Sequence, residues 1–283
     1  MPNPQYFPPD FQFSQHNLND FVACQRRFQL RHLLRQAWPA PLVEPIREAE
    51  AHRRHGEQFH KLIERHYLGL NPQPPKDPAL AEWWSLFQNS IESLNLPDTI
   101  LRPEMTCSIP FPVGRLMARF DLVAINPGES VVIVDWKTGR RPEGKNVDNI
   151  QLSKMQTVVY LVVAQEALTH EFGGAIPAAA LKLYYWYTEA PHHPIELSFK
   201  GKQGVADLKG MRVVVERLME QIVTLATKQG LDQEWKLTDN LQQCRFCNYR
   251  TLCKRNVTPI TLEEAEVDEL IVDALSELEE IPL

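Results

Sequence analysis

The chain has 283 residues, 43% hydrophobic and 23% charged, which suffices for a packed core and excludes a mainly disordered protein. No apolar run approaches the ~18 residues that span a bilayer. The formal net charge of −6 argues against a nucleic-acid partner only until it is located: residues 261–283 hold nine acidic and no basic residues, and residues 1–260 carry +3.

MPNPQYFPPDFQFSQ lacks the basic and apolar regions of a secretion signal, so a cytoplasmic protein without a membrane partner is expected. A first helix is predicted from after Ser14 to about Ala37, where Pro39 and Pro41 stop it. A second fits 45–68 and ends in the linker NPQPPKDP; a third fits 79–94. Pro110 and Pro112 interrupt an extended segment at 101–113, which marks an edge strand. Strands follow at 115–125 and 131–138 around the turn Asn126–Ser130, then a helix at 150–171, strands at 178–188 and 194–199, and a long helix at 203–228. The tail TLEEAEVDELIVDALSELEEIPL reads as an amphipathic helix or a partly disordered appendage that offers an acidic surface to a protein partner. The sum is an α/β protein with an N-terminal helical insertion. The expected organisation is one domain over 1–260, divided into helices at 14–95, a core at 100–230 and a cysteine segment at 240–256, with the tail at 261–283.

The strand VVIVDWKTG runs apolar and then ends on Asp135 and Lys137. Alternation puts both on the face of Val131 and Ile133, with Trp136 pointing away and its carbonyl beside them. A turn centred on Gly128 pairs Ile125 with Val131, and its register opposes Asp121 to Asp135. Two opposed carboxylates near a core call for a proton or a cation between them, and oxygen ligands suit Mg²⁺ or Mn²⁺. An even-length turn would instead place them on opposite faces. Asp135 paired with Lys137 at an exposed strand end is the plainer alternative.

Three cysteines form C-x2-C-x5-C at Cys244, Cys247 and Cys253. A fourth ligand has two candidates: Cys24, three residues after Phe21 on the inner face of the first helix, and Cys107, better read as a buried small hydrophobe. Cys24 is the expected partner, and four thiolates suit zinc or an iron–sulfur cluster equally. Basic residues gather nearby: Arg26, Arg27, Arg31 and Arg35 on the first helix, Arg140 and Arg141 after DWKTG, and Arg245, Arg250, Lys254 and Arg255 around the cysteines. They would neutralise phosphates, and Phe28, Phe246 and Tyr249 are placed to stack unpaired bases.

The stretch RFDLVAINPGESVVIVDWKTGRRP resembles the core of the PD-(D/E)XK nuclease superfamily, in particular its RecB-like and CRISPR-associated exonucleases with an iron–sulfur cluster. Asp121 matches the first motif aspartate, with Phe120 in place of the proline; Asp135 and Lys137 match the second. Gly56-Glu57-Gln58-Phe59-His60 is similar to an upstream G-x-x-x-H helix whose histidine binds metal. Gln156-Thr157-Val158-Val159-Tyr160 is similar to a Q-x-x-x-Y motif that touches the reacting phosphate or the strand. The resemblance implies a restriction-endonuclease-like fold, a mixed central sheet flanked by helices, and a C-terminal Fe–S segment closing on Cys24. It implies a metal site from His60, Asp121, Asp135 and the Trp136 carbonyl, catalytic roles for Asp121, Asp135, Lys137, Gln156 and Tyr160, and a [4Fe–4S] cluster on Cys24, Cys244, Cys247 and Cys253, with Zn²⁺ as the alternative. Glu104 stands outside that ligand set as a further carboxylate. The expected activity is hydrolysis of DNA, single-stranded or at ends, in repair, recombination or CRISPR adaptation. The competing reading is a non-catalytic, cluster- or zinc-stapled DNA-binding subunit of a larger complex.

Overall fold

Helix α1 (Gln15–Ala23) starts at a reciprocal cap: Ser14 Oγ accepts from the Asn17 N–H, and Asn17 Oδ1 accepts from the Ser14 N–H. This protein is described by a computed structural model that covers residues 5–37, 44–144, 146–245 and 247–258, with side chains outside 44–53, 202–203 and 205–206. The expected single helix to Ala37 is broken. Cys24 is extended (φ −163°, ψ 113°), α2 (Gln25–Phe28) restarts the coil, and a π-helical turn follows at Gln29–Leu33. The break has a local cause, because Asp20 draws Arg27, Arg31 and His32 around its buried carboxylate from the following segment. Pro39, Pro41, Phe246 and the acidic tail lie outside the described residues.

The chain forms two compact units, one of residues 1–53, 110–115 and 216–283, the other of 54–109 and 116–215. In the first, a buried glutamine ties the two ends of the sequence together. Gln29 Nε2 donates to the Leu231 and Gln233 carbonyls at 3.1 and 2.7 Å, and its Oε1 accepts from the Trp235 N–H at 3.0 Å. Phe28 stacks on Trp235 with 5.9 Å between centroids, and the Tyr249 hydroxyl donates to the Gln36 carbonyl. Each satisfied buried polar group of this kind avoids a desolvation cost of about 1–3 kcal/mol.

The second unit is built on a five-stranded sheet in the order β1 (Ile100–Phe111), β2 (Gly114–Asn126), β3 (Ser130–Lys137), β4 (Leu181–Tyr187), β5 (Ile195–Ser198). β1 is an edge strand, as its prolines require. The β2–β3 hairpin has the expected register, from Asn126 opposite Ser130 to Leu122 opposite Val134. β3 and β4 are parallel and β4–β5 antiparallel, so the sheet is mixed. The parallel step needs a crossover, supplied by α5 (Val147–Ser153), α6 (Met155–Ala167) and α7 (Thr169–Phe172). The predicted helix at 150–171 is thus three pieces. An extended Lys154 (φ −67°, ψ 137°) ends α5 and lets α6 start afresh.

Even-numbered residues of β3 face a core made with α3 (Glu44–Tyr67) and α4 (Pro78–Ser90): Val132, Val134 and Trp136 pack with Phe59, Ile63, Trp84 and Phe87. Odd-numbered Asp135 faces α6, whose residues 157–164 are all buried. The long α8 (Gly201–Gln229) buries Val215, Met219, Ile222 and Ala226 at helical spacing. Among the described residues no helix is long and apolar enough to cross a membrane.

Candidate active site and cysteine cage

The hairpin delivers two aspartates to the end of β3, but by different routes. The recorded pairing stops at Leu122–Val134. One step further, the Trp136 N–H donates to the side chain of Asp121 (Oδ2, 2.8 Å) rather than to a backbone carbonyl. Phe120 meets the Tyr160 ring of α6 while Leu122 joins the Trp136 core. Strict alternation along β2 is therefore lost at Asp121, which corrects the expectation of two carboxylates directly face to face.

Asp121 belongs to a cluster with α3 and β1. His60 Nδ1 lies 3.5 Å from Asp121 Oδ1 and its Nε2 donates to the Trp136 carbonyl at 3.0 Å. Gly56, one turn earlier on α3, lets the helix lie close: a Cβ there would sit 3.3 Å from Thr138 Oγ1, just past Lys137. Glu104 completes the cluster, and one ligand atom from each of His60, Glu104 and Asp121 falls within 4.8 Å of the others. Glu104 reaches that position from a left-handed backbone (φ +50°), unusual for a non-glycine residue inside a strand. Arg119, on the same strand as Asp121, grips its carboxylate at 2.7 Å. Glu104 stood outside the ligand set expected from the sequence, and the structure brings it in.

Asp135 has a separate set of partners. Its Oδ2 lies 3.0 Å from Lys137 Nζ, and its Oδ1 accepts from Gln156 Nε2 at 2.9 Å and from the Tyr160 hydroxyl at 3.2 Å. Lys137 Nζ also donates to Gln156 Oε1 at 3.0 Å. Gln156 and Tyr160, one turn apart on α6, thus bridge the acid and the amine. Tyr160 is 2% exposed, and its hydroxyl braces Asp135 from inside. The Trp136 ring is buried against Phe87 and Trp186, leaving its carbonyl as its contribution to the site.

Electrostatics separate the two acids. Burial opposes the charge of Asp121, but the imidazolium of His60, the Trp136 N–H and Lys137 outweigh it and hold the carboxyl below its usual range. Burial pushes Asp135 up, against Lys137 and with Asp121 adding to the rise. Burial also disfavours the His60 charge, yet Asp121, Asp135 and Glu104 together raise it to about 9. Glu104 is raised by burial and by Asp121, with Arg119 opposing. So much negative charge gathered around one cation is a donor set that fits a hard divalent ion: two carboxylates, an imidazole and a nearby carbonyl.

The bracing role of α6 can be tested. Tyr160→Phe removes one of the donors to Asp135 Oδ1 and keeps the ring contact with Phe120. An activity loss of about tenfold with an unchanged affinity for nucleic acid is expected, from a lost hydrogen bond to a charged group worth ~1.5 kcal/mol. A pure loss of that affinity would instead mark Tyr160 as a strand contact.

In the first unit the four cysteines singled out in the sequence line one small cavity, together with Arg27, Arg250 and Arg255. All are unpaired thiols. Burial raises Cys244 and Cys247, and carries Cys253 up to about 11. Cys107 is buried elsewhere, on β1. Of the arginines near the cage, Arg27 and Arg31 meet buried Asp20, Arg26 meets Glu234 at the surface, and Arg255 donates to the Thr238 carbonyl. Phe28 and Tyr249 are buried. These two rings therefore cannot stack bases, and the expectation that they do is corrected; their apolar faces are spent on packing.

The mixed sheet thus carries D…DxK at the end of an antiparallel hairpin, backed by a histidine from one helix and a glutamine–tyrosine pair from another. The sequence model of the PD-(D/E)XK nuclease superfamily matches residues 12–108 and 90–254, and the chain belongs to that superfamily. No curated relative matches. Among solved structures, the chain is similar to a Eubacterium rectale protein named as a candidate exonuclease. The two share 11% identity at a TM-score of 0.52, over 88% of this chain and 91% of that one. A second structure, SSO0001, has 15% identity and a TM-score of 0.33 over 64% of this chain and 73% of its own. At these identities the first likeness is one of fold, and the second carries no argument.

Proposed function

We propose that the protein is a metal-dependent deoxyribonuclease, an exonuclease acting on single-stranded DNA or DNA ends in repair, recombination or CRISPR adaptation. The observation that carries this reading is the convergence of His60, Glu104 and Asp121 beside an Asp135–Lys137 pair locked by Gln156. His60, Glu104, Asp121 and the Trp136 carbonyl would hold Mg²⁺ or Mn²⁺, with Asp135 at its edge. A divalent ion there supplies Lewis acidity toward a phosphate oxygen and lowers the pKa of a water. Lys137, fixed by Asp135 and Gln156, presents its ammonium to the charge that develops on the phosphate. Asp135, whose carboxyl burial raises above its ordinary value, is suited to exchange a proton with that amine or with a water. End-labelled single- and double-stranded oligonucleotides separate the substrates: shortening of the single strand from an end is expected, and cleavage of RNA alone would defeat the DNA assignment.

Metal binding should be linked to protons. His60 is an imidazolium below about 9 and must release its proton to become a ligand. Mg²⁺ affinity is therefore expected to rise from pH 7 to pH 9, with proton release seen by calorimetry in buffers of different ionisation enthalpy. Affinity that falls with pH, or no proton release, would remove His60 from the ligand set.

The four cysteines, in the same reading, hold a [4Fe–4S] cluster that ties α1 and α2 to the C-terminal segment. Protein purified without oxygen is expected to be brown and to carry iron; stoichiometric zinc without visible absorption would overturn this part.

A further inference from the structure

Arg27 stands apart from the other arginines of the N-terminal helices. It is 8% exposed, and its Nε meets Asp20 Oδ1 at 2.6 Å. It also lines the cavity that the four cysteines share. Asp20, fully buried, is bound in addition by Arg31 at 3.0 Å and His32 at 2.8 Å. One carboxylate thus faces two permanent cations, and of these two Arg27 is the one that lines the cysteine cavity, alongside Arg250 and Arg255. Arg31 shares the carboxylate but does not line the cavity.

We propose that Arg27 is a positioning residue for the cysteine cage: anchored by Asp20, it compensates the negative charge of four thiolates around a cluster and sets how readily that cluster takes up an electron. The inference rests on the iron–sulfur reading above. A thiolate-ligated cluster is anionic and becomes more so on reduction, and a buried cation nearby favours the more negative state. Charge and hydrogen bonding just outside the ligands also govern how tightly a centre is retained.

The experiment uses the full-length protein purified without oxygen, with three variants. Arg27→Gln removes the charge while Asp20 keeps Arg31 and His32; Arg27→Lys restores a cation; Arg31→Gln takes a cation from the same carboxylate at a residue that is not itself in the cavity lining and reaches it through Tyr249. Iron content, the rate of iron loss to a chelator and the cluster's reduction potential are read for each. Arg27→Gln is expected to lose iron about tenfold faster and to shift the potential to more negative values. Arg27→Lys should return both readings toward wild type, and Arg31→Gln should move the potential less than Arg27→Gln does. Wild-type protein without iron would sink the cluster reading and this proposal with it. Iron-loaded wild type with an Arg27→Gln variant unchanged in potential would sink this proposal alone, as would an equal shift in Arg31→Gln. Should Arg27→Gln fail to fold, Arg27→Met keeps the packed stem without the charge and is read in the same way.

Discussion

Asp121→Asn is expected to reduce metal-dependent cleavage by at least ~10²–10³-fold, the scale for removing one electrostatic contributor to a buried centre. The amide is the informative substitution. Its oxygen can still accept from the Trp136 N–H, so the end of β3 keeps its anchor, whereas alanine would leave that buried donor without a partner at a cost of ~1–3 kcal/mol. The same change removes the largest upward influence on His60, whose imidazole should fall toward its ordinary range. Cleavage rates, a thermal melt and the His60 titration by NMR check the three consequences together. Undiminished cleavage, with an unchanged melt, would take Asp121 out of the chemistry.

Asp20→Asn should be the most damaging single substitution for stability, at about 3–5 kcal/mol, because it leaves Arg27 and Arg31 buried without their counter-charge. Burial works against the Asp20 charge, but Arg27, His32 and Arg31 overcome it and hold the carboxyl well below its usual range. Its stabilising contribution is therefore complete above the unfolded value of about 3.9 and is lost as pH falls through the lower folded value. Denaturant melts should show a large gap between wild type and variant at neutral pH that narrows below about pH 4. A gap that stays constant into acid would mean the carboxylate contributes no charge-dependent stability.

How much of this was legible in the sequence depends on the range of the forces involved. The hairpin was legible because an odd-length turn around Gly128 and alternating apolar residues specify the same register. The nuclease constellation was legible because D…DxK, G-x-x-x-H and Q-x-x-x-Y stand at spacings that one fold can bring together. Glu104 was not, since its place depends on a left-handed backbone step and on Arg119 across the strand pair, neither of which leaves a periodic trace. The break at Cys24 was hidden for a related reason. Helical periodicity runs through it, and the pairing of buried Asp20 with Arg27, Arg31 and His32 a few residues further on goes with the bend there. That Arg27 and Arg31 turn to Asp20 was equally hidden, because a buried guanidinium and a solvent-facing one look alike in a sequence. Gln29, which joins residues more than 200 positions apart, left no local signal at all.

The most direct test is diffraction from crystals of the protein soaked in Mn²⁺, recorded where manganese scatters anomalously. The expected result is a peak bounded by the imidazole of His60 and the carboxylates of Glu104 and Asp121. A well-ordered site with no peak there, in crystals whose protein still degrades DNA when Mn²⁺ is added, would contradict it.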